Sequence, residues 1–336
     1  MNLLYLLALT LLTSCTKKGE LDPIPFVQPN TNIVRVATAA ELKSALLVAK
    51  PGDEIILADG LYSGRFVIPA GVNGTSSSPI ILRGSRQAIL DGGSTSTGYV
   101  LHVQSSYWVV KGFTVKNGLK GIMADGVNHS LFDSLYITNV GEEALHIRKF
   151  SSFNTIQHCE ITYAGLKTPD YGEGVYIGTA KSNWATVTNG EIDRCDSNKI
   201  LNNKIGPFIA AECIDIKEGT TGGLIRGNTF DSQGIQGANS ADSWIDVKGN
   251  NYLIEDNIGN NAQPSALLDG YQVNVAYNGW GNNNEFKANT CNVHAAGHGI
   301  NVRLSSSSGT ATGNKVYTSN QVNGAAKGIS NIPLTN

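Results

Sequence analysis

From about residue 55 to 325 the chain is a succession of short apolar runs, rich in β-branched residues and separated by Gly, Asn and Ser. In the C-terminal half one slot between two such runs is repeatedly asparagine. It is Asn203 in ILNNKI, Asn228 in LIRGNTF, Asn257 in LIEDNIG, Asn289 in EFKANTC and Asn314 in TATGNKV, at spacings of 25, 29, 32 and 25. Cys159, Ser134 and Gly112 take the slot in earlier repeats. A slot that recurs every two to three dozen residues between β-like runs predicts a solenoid, one coil per repeat. Stacking would place equivalent residues about 4.8 Å apart. Asparagine suits an inner bend because it tolerates left-handed backbone, and its amide can bond the next amide in the stack.

Aligning the strand that precedes each slot gives VLHVQ, GIMAD, ALHIRK, GVYIGT, CIDIKE, WIDVKG, GYQVNV and GINVRL, which begin at residues 100, 121, 144, 174, 213, 244, 270 and 299. Alternation sends Ile214, Ile216, Ile245, Val247, Val273, Ile300 and Val302 inward and the residues between them outward. One outward column is then His146, Tyr176, Asp215, Asp246, Gln272 and Asn301. The next is Arg148, Gly178, Lys217, Lys248, Asn274 and Arg303. Just upstream stand Glu143, Glu173, Glu212, Ser243 beside Asp242, and Asp269. The connections flanking this strand are long (165–172, 180–197, 231–241, 260–268, 276–284), which predicts a sheet walled into a groove. Their aromatic residues, together with those at the strand edges, are Tyr171, Trp184, Trp244, Tyr271, Tyr277 and Trp280, candidate stacking platforms for sugar rings. Ahead of the repeats, Ile33–Val36 reads as a strand. Thr38-Ala-Ala-Glu41 reads as a capping box opening a helix to about Ala49, stopped by Pro51-Gly52. Such a helix would cover the open end of the solenoid. The expectation is an all-β chain: one right-handed parallel β-helix over 33–336 with an N-terminal capping helix.

Composition agrees with many turns: 38 Gly in 336 residues and 15% charged residues. A net charge of −2 gives no support to nucleic-acid binding, and a monomer is expected. The first 15 residues, MNLLYLLALTLLTSC, form an apolar leader too short to span a bilayer comfortably. Leu12-Thr13-Ser14-Cys15 resembles the lipobox of bacterial lipoproteins, although no Lys or Arg precedes the apolar run. The resemblance implies cleavage before Cys15, a lipid anchor on its thiol and a place in the bacterial cell envelope. In a Gram-negative host, Thr16 after the cysteine, rather than Asp, favours the outer membrane over the inner one; an ordinary cleaved signal peptide is the other reading. Residues 16–32 read as a polar tether. Cys159, Cys195, Cys213 and Cys291 have no zinc-like spacing, and burial of Cys159 as a small apolar thiol is expected.

The opening of the domain, from the strand and helix through PGDEIILADGLYSG and PIILRG, resembles that of the chondroitinase B and alginate lyase family of secreted β-helix polysaccharide lyases. In that family an acidic residue precedes a strand reading roughly E-x-I-x-x-K, and the lysine is the base. Glu212-Cys-Ile-Asp-Ile-Lys217 is similar to that pattern. The resemblance implies Lys217 as base, Glu212 as a Ca²⁺ ligand and an acidic polysaccharide as substrate. One coil later the chain has Lys248 where the family has arginine. The calcium-dependent pectate lyases also pair a lysine base with aspartates, a scheme that Asp215, Asp242, Asp246 and Asp269 would suit.

The chemistry asks for these residue types. Eliminating across C4–C5 of a uronate needs its carboxylate neutralised, a base for the C5 proton and help for the leaving oxygen. Ca²⁺ prefers clustered carboxylates. A lysine beside a second positive charge can be brought toward neutrality. The expected site therefore has Lys217 and Lys248 as catalytic residues and Glu212, Asp215, Asp242 and Asp246 as metal ligands. His146, Arg148, Tyr176, Trp244, Tyr271, Trp280 and Arg303 are the expected sugar contacts. The stacked Asp and Lys could also merely neutralise each other across rungs. Other readings are a non-catalytic glycan-binding lipoprotein and a hydrolase or C5 epimerase on the same groove. For a hydrolase, Gly297-His298-Gly299 is a weak match standing away from the acidic cluster.

Overall fold

The computed structural model describes residues 32–336, so the leader, Cys15 and nearly all of the tether lie outside the described residues. The rest winds into a right-handed parallel β-helix of three sheets of twelve, ten and nine strands. Each coil visits the nine-stranded, twelve-stranded and ten-stranded sheets in turn. The alternation decides the core. Ile214, Ile216, Ile245, Val247, Val273, Ile300 and Val302 are all wholly or almost wholly buried inside the tube.

The asparagine stack exists, with two changes. Asn203 Nδ2 donates to Asn228 Oδ1, Asn228 to Asn257, Asn257 to Asn289, and Asn289 to Asn320. Asn314 is not the last member. It accepts from the backbone of Asn284 in a second stack at the other end of the twelve-stranded sheet, where Asn154 and Asn198 also pair. The left-handed residue of each bend is the one before the ladder asparagine: Asn202, Gly227, Asp256 and Ala288. Ser134 and Gly112 hold that left-handed position, and Leu135 and Phe113 follow them. The asparagines are therefore kept for their amides. Each closes hydrogen bonds that the buried bend would otherwise leave open.

A helix, Ala39–Val48, follows the capping box formed by Thr38 and Glu41. Leu42, Ala45 and Leu46 close the N-terminal end of the core. Cys159, Cys195, Cys213 and Cys291 are buried free thiols. Burial pushes Cys159 and Cys291 up to about 12.

Candidate active site

The site lies on the nine-stranded sheet, whose strands include Leu145–Arg148, Val175–Ile177, Ile214–Ile216, Ile245–Val247, Tyr271–Val273 and Ile300–Val302. Their parallel register aligns His146, Tyr176, Asp215, Asp246, Gln272 and Asn301 in one outward column. Lys217, Lys248, Asn274 and Arg303 follow in the next. Because each coil leaves and rejoins this sheet through long loops, the loops stand up as walls. On one side Pro169–Tyr171 packs against Ala238–Ser240. On the other, Trp184 meets Tyr277 edge-on at 5.3 Å, and Lys181 and Arg194 lie over Tyr277 and Trp280. Between the walls is a cleft of about 370 Å³, lined by Glu173, Glu212, Asp215, Lys217, Asp242, Asp246, Lys248, Asp269 and Arg303 among others.

At its centre Lys217 Nζ is 2.5 Å from Asp215, and Lys248 Nζ is 2.8 Å from Asp215 and 2.5 Å from Asp246. Carboxylate oxygens of Glu173, Glu212 and Asp215 lie within 4.8 Å of one another. Four carboxylates thus crowd two ammonium groups. Burial raises Glu212 to about 8, helped by Asp215, and raises Glu173 well above the usual carboxyl range, helped by Glu143 and Asp215. Asp215 is held low: burial opposes this, but the two lysines prevail. Glu173 Oε2 is buried and has no hydrogen-bond partner among the described residues. An orphaned carboxylate oxygen among clustered carboxylates is what a hard divalent cation would satisfy, since ligands about 2.4 Å from one ion sit within about 5 Å of each other.

Neither lysine is driven toward neutrality. Burial alone would lower both, but Asp215 with Glu173 and Glu212 raises Lys217, and Asp215 with Asp246 raises Lys248. The expected mutual depression is overridden because Asp215 reaches both ammonium groups, at 2.5 and 2.8 Å, and Asp246 reaches Lys248 at 2.5 Å. The Lys217 ammonium also lies 4.7 Å above the Tyr176 ring.

Comparison with solved structures decides the family. An alginate lyase from Paenibacillus sp. str. FPU-7 is 41% identical, with a TM-score of 0.78, over 87% of this chain and 97% of that one. The chain belongs to the parallel β-helix polysaccharide lyases. A pectate lyase (15% identity, TM-score 0.53, 85% of this chain and 80% of that one) and a rhamnogalacturonan lyase (12%, 0.55, 78% and 70%) share the fold. No family model and no curated protein matches the sequence.

Several residues of this lyase sit elsewhere than expected. Trp244 and Tyr271 are wholly buried in the core, so neither offers a face to a sugar. Tyr271 has the inward parity of Ile245 and Ile300, with which it aligns. His146 is buried against Tyr176 at 4.4 Å and shares a hydrogen bond with the Gly178 carbonyl, so it is not a groove-surface group. Arg148 is committed to Asp125 at 2.7 Å. Trp280 stands on a wall with Arg194 over its ring. Asp242 lines the cleft beside the metal-like cluster and accepts from Gln272 at 2.7 Å. Glu173, which the sequence placed upstream of its strand without a role, completes the carboxylate group; the stacked column Glu143, Glu173, Glu212 was the signal. His298 continues that column: its backbone N–H donates to Asp269 at 2.5 Å, while its ring Nδ1, 3.8 Å from the same carboxylate, has no hydrogen-bond partner among the described residues.

Proposed function

We propose that this lyase cleaves a uronate polysaccharide, alginate first among candidates, by β-elimination over Lys217 and Lys248. The likeness to an alginate lyase along nearly the whole of that chain carries the substrate class. The cleft carries the chemistry. Lys248 draws charge from the substrate carboxylate, which acidifies C5–H. Lys217 Nζ, as the neutral amine, takes the C5 proton, the electron pair closes the C4–C5 double bond, and the C4–O bond breaks. Tyr176 serves as donor to the leaving oxygen. Burial, with Asp215 and Glu173, keeps its phenol protonated far into alkali.

Glu173, Glu212 and Asp215 would hold Ca²⁺. When bound, the ion offsets the carboxylate charge that otherwise locks Lys217 as an ammonium, and it adds positive field at the substrate carboxylate. Asp215 holds both lysine heads in register, so the base and the neutralising charge stay one rung apart.

The test is incubation with alginate, polygalacturonate and glycosaminoglycans, with and without Ca²⁺, while ultraviolet absorbance of the new double bond is followed. Absorbance should rise with at least one polymer and fall to background in Lys217→Ala. No absorbance with any of them overturns the reading. Its cellular side rests on Cys15: an outer-membrane lipoprotein should incorporate labelled palmitate, and Cys15→Ser should not.

A further inference from the structure

Three cations line the cleft: Lys217, Lys248 and Arg303. The first two are neutralised by Asp215 and Asp246. Arg303 is exposed, and among the described residues its guanidinium has no ion pair and no side-chain hydrogen bond. Other basic groups of the same sheet are paired as well. Lys120 is held by Glu142 and Glu143, and His102, Arg148 and Lys149 are held by Asp125. A fork of donors left unpaired inside a polar cleft is suited to an incoming carboxylate.

Its position sets which carboxylate. Tyr271–Val273 and Ile300–Val302 pair in register beyond Ile245–Val247. Arg303 therefore lies two rungs past Lys248, roughly 10 Å along the axis. The rung between carries Asn274, whose amide is already spent on Asp246 at 2.8 Å. One 1,4-linked pyranose advances an extended chain by close to one rung. In such a chain, with its near two-fold screw, alternate sugars turn their carboxylates to the same side. The geometry points to Arg303 as a specificity-determining residue that grips the carboxylate of the sugar two units beyond the one neutralised at Lys248. This rests on the uronate reading above and adds a polarity to it. The polymer runs along the helix axis, and the cleft reads charge at alternate sugars toward the C-terminal end.

The experiment is isothermal titration of size-graded oligouronates into wild type, Arg303→Gln and Arg303→Lys, with KM and kcat measured on the same series. Wild type should gain about tenfold in affinity at the length that first reaches Arg303. Arg303→Gln should lose that step, with the loss in KM rather than kcat, and Arg303→Lys should recover part of it. A step of equal size in all three proteins overturns the proposal, as does a loss in Arg303→Gln that is the same at every length. If wild type forms no unsaturated product, the elimination reading fails, and the binding series alone still decides Arg303.

Discussion

Two charged clusters share the nine-stranded sheet, and they differ in how their charges are matched. Toward the N-terminus the single carboxylate of Asp125 is met by Arg148 at 2.7 Å, His102 at 3.1 Å and Lys149 at 3.4 Å. Burial pushes Asp125 up, but these partners hold it well below the usual range. Three coils on, Glu173, Glu212, Asp215 and Asp246 share two lysines, one oxygen is left bare, and two of the carboxyls are pushed upward. The first cluster is complete in itself and reads as structure. The second is short of positive charge and reads as a place where a cation and a substrate belong.

The largest separation between them should be catalytic. Lys217→Ala is expected to lower kcat about 10³-fold, as for loss of a proton-transfer group, with the smaller change in melting temperature because Lys248 stays paired with Asp215 at 2.8 Å. Arg148→Ala should do the reverse. It removes the closest partner of a buried carboxylate and leaves only the longer contacts to His102 and Lys149, so unfolding stability should drop by about 2 kcal/mol while kcat per folded molecule holds. If denaturant melts and initial rates gave the opposite pattern, the two clusters would have been assigned the wrong way round. Away from both, Asn257→Ala removes a middle member of the ladder, with its bonds to Asn228, Asn289 and the Ile225 carbonyl. A loss of about 2 kcal/mol with unchanged KM is expected.

The smallest expected effect is in pH dependence, and its sign differs between the clusters. Glu212 has a folded value of about 8 against an ordinary 4.5. The stability tied to its protonation is therefore present below about pH 4.5 and is lost as pH rises through 8. Metal-free wild type should melt lower at pH 8 than at pH 5, and Glu212→Gln should flatten that slope. Ca²⁺ should raise the melting temperature more at pH 8, where the carboxylates are ionised. Asp125, depressed when folded, contributes above its unfolded value and loses that contribution only in acid. Calorimetric melts across pH, with and without Ca²⁺, check both signs.

What the sequence revealed follows the same physics. Period-two alternation forces every second residue out, so the Asp215–Asp246 and Lys217–Lys248 columns, the upstream carboxylates and the walled groove could all be read before any coordinates. Parity already places Tyr271 inside, because the register that exposes Asp246 buries Tyr271; Trp244 has the outward parity of Asp246 and is buried instead because its ring turns into the space left by Gly259 and Gly270. Asn314 was misplaced because the bends at both ends of the twelve-stranded sheet favour asparagine, and TATGNKV resembles either. The lysine protonation could not be read, because it depends on how closely Asp215 and Asp246 approach the two ammonium groups, which register alone does not set. The commitment of Arg148 to Asp125 is legible in the same columns, since the aligned GIMAD and ALHIRK set the two residues opposite each other on adjacent rungs.

The central claim is that Lys217 and its rung neighbours cut a uronate chain by elimination. Digesting alginate in water enriched in heavy oxygen with wild type and Lys217→Ala, then weighing the products, tests it most directly. The account expects unsaturated oligosaccharides free of the label from wild type and almost none from the variant. Saturated products carrying the label, or equal yields from both proteins, would contradict it.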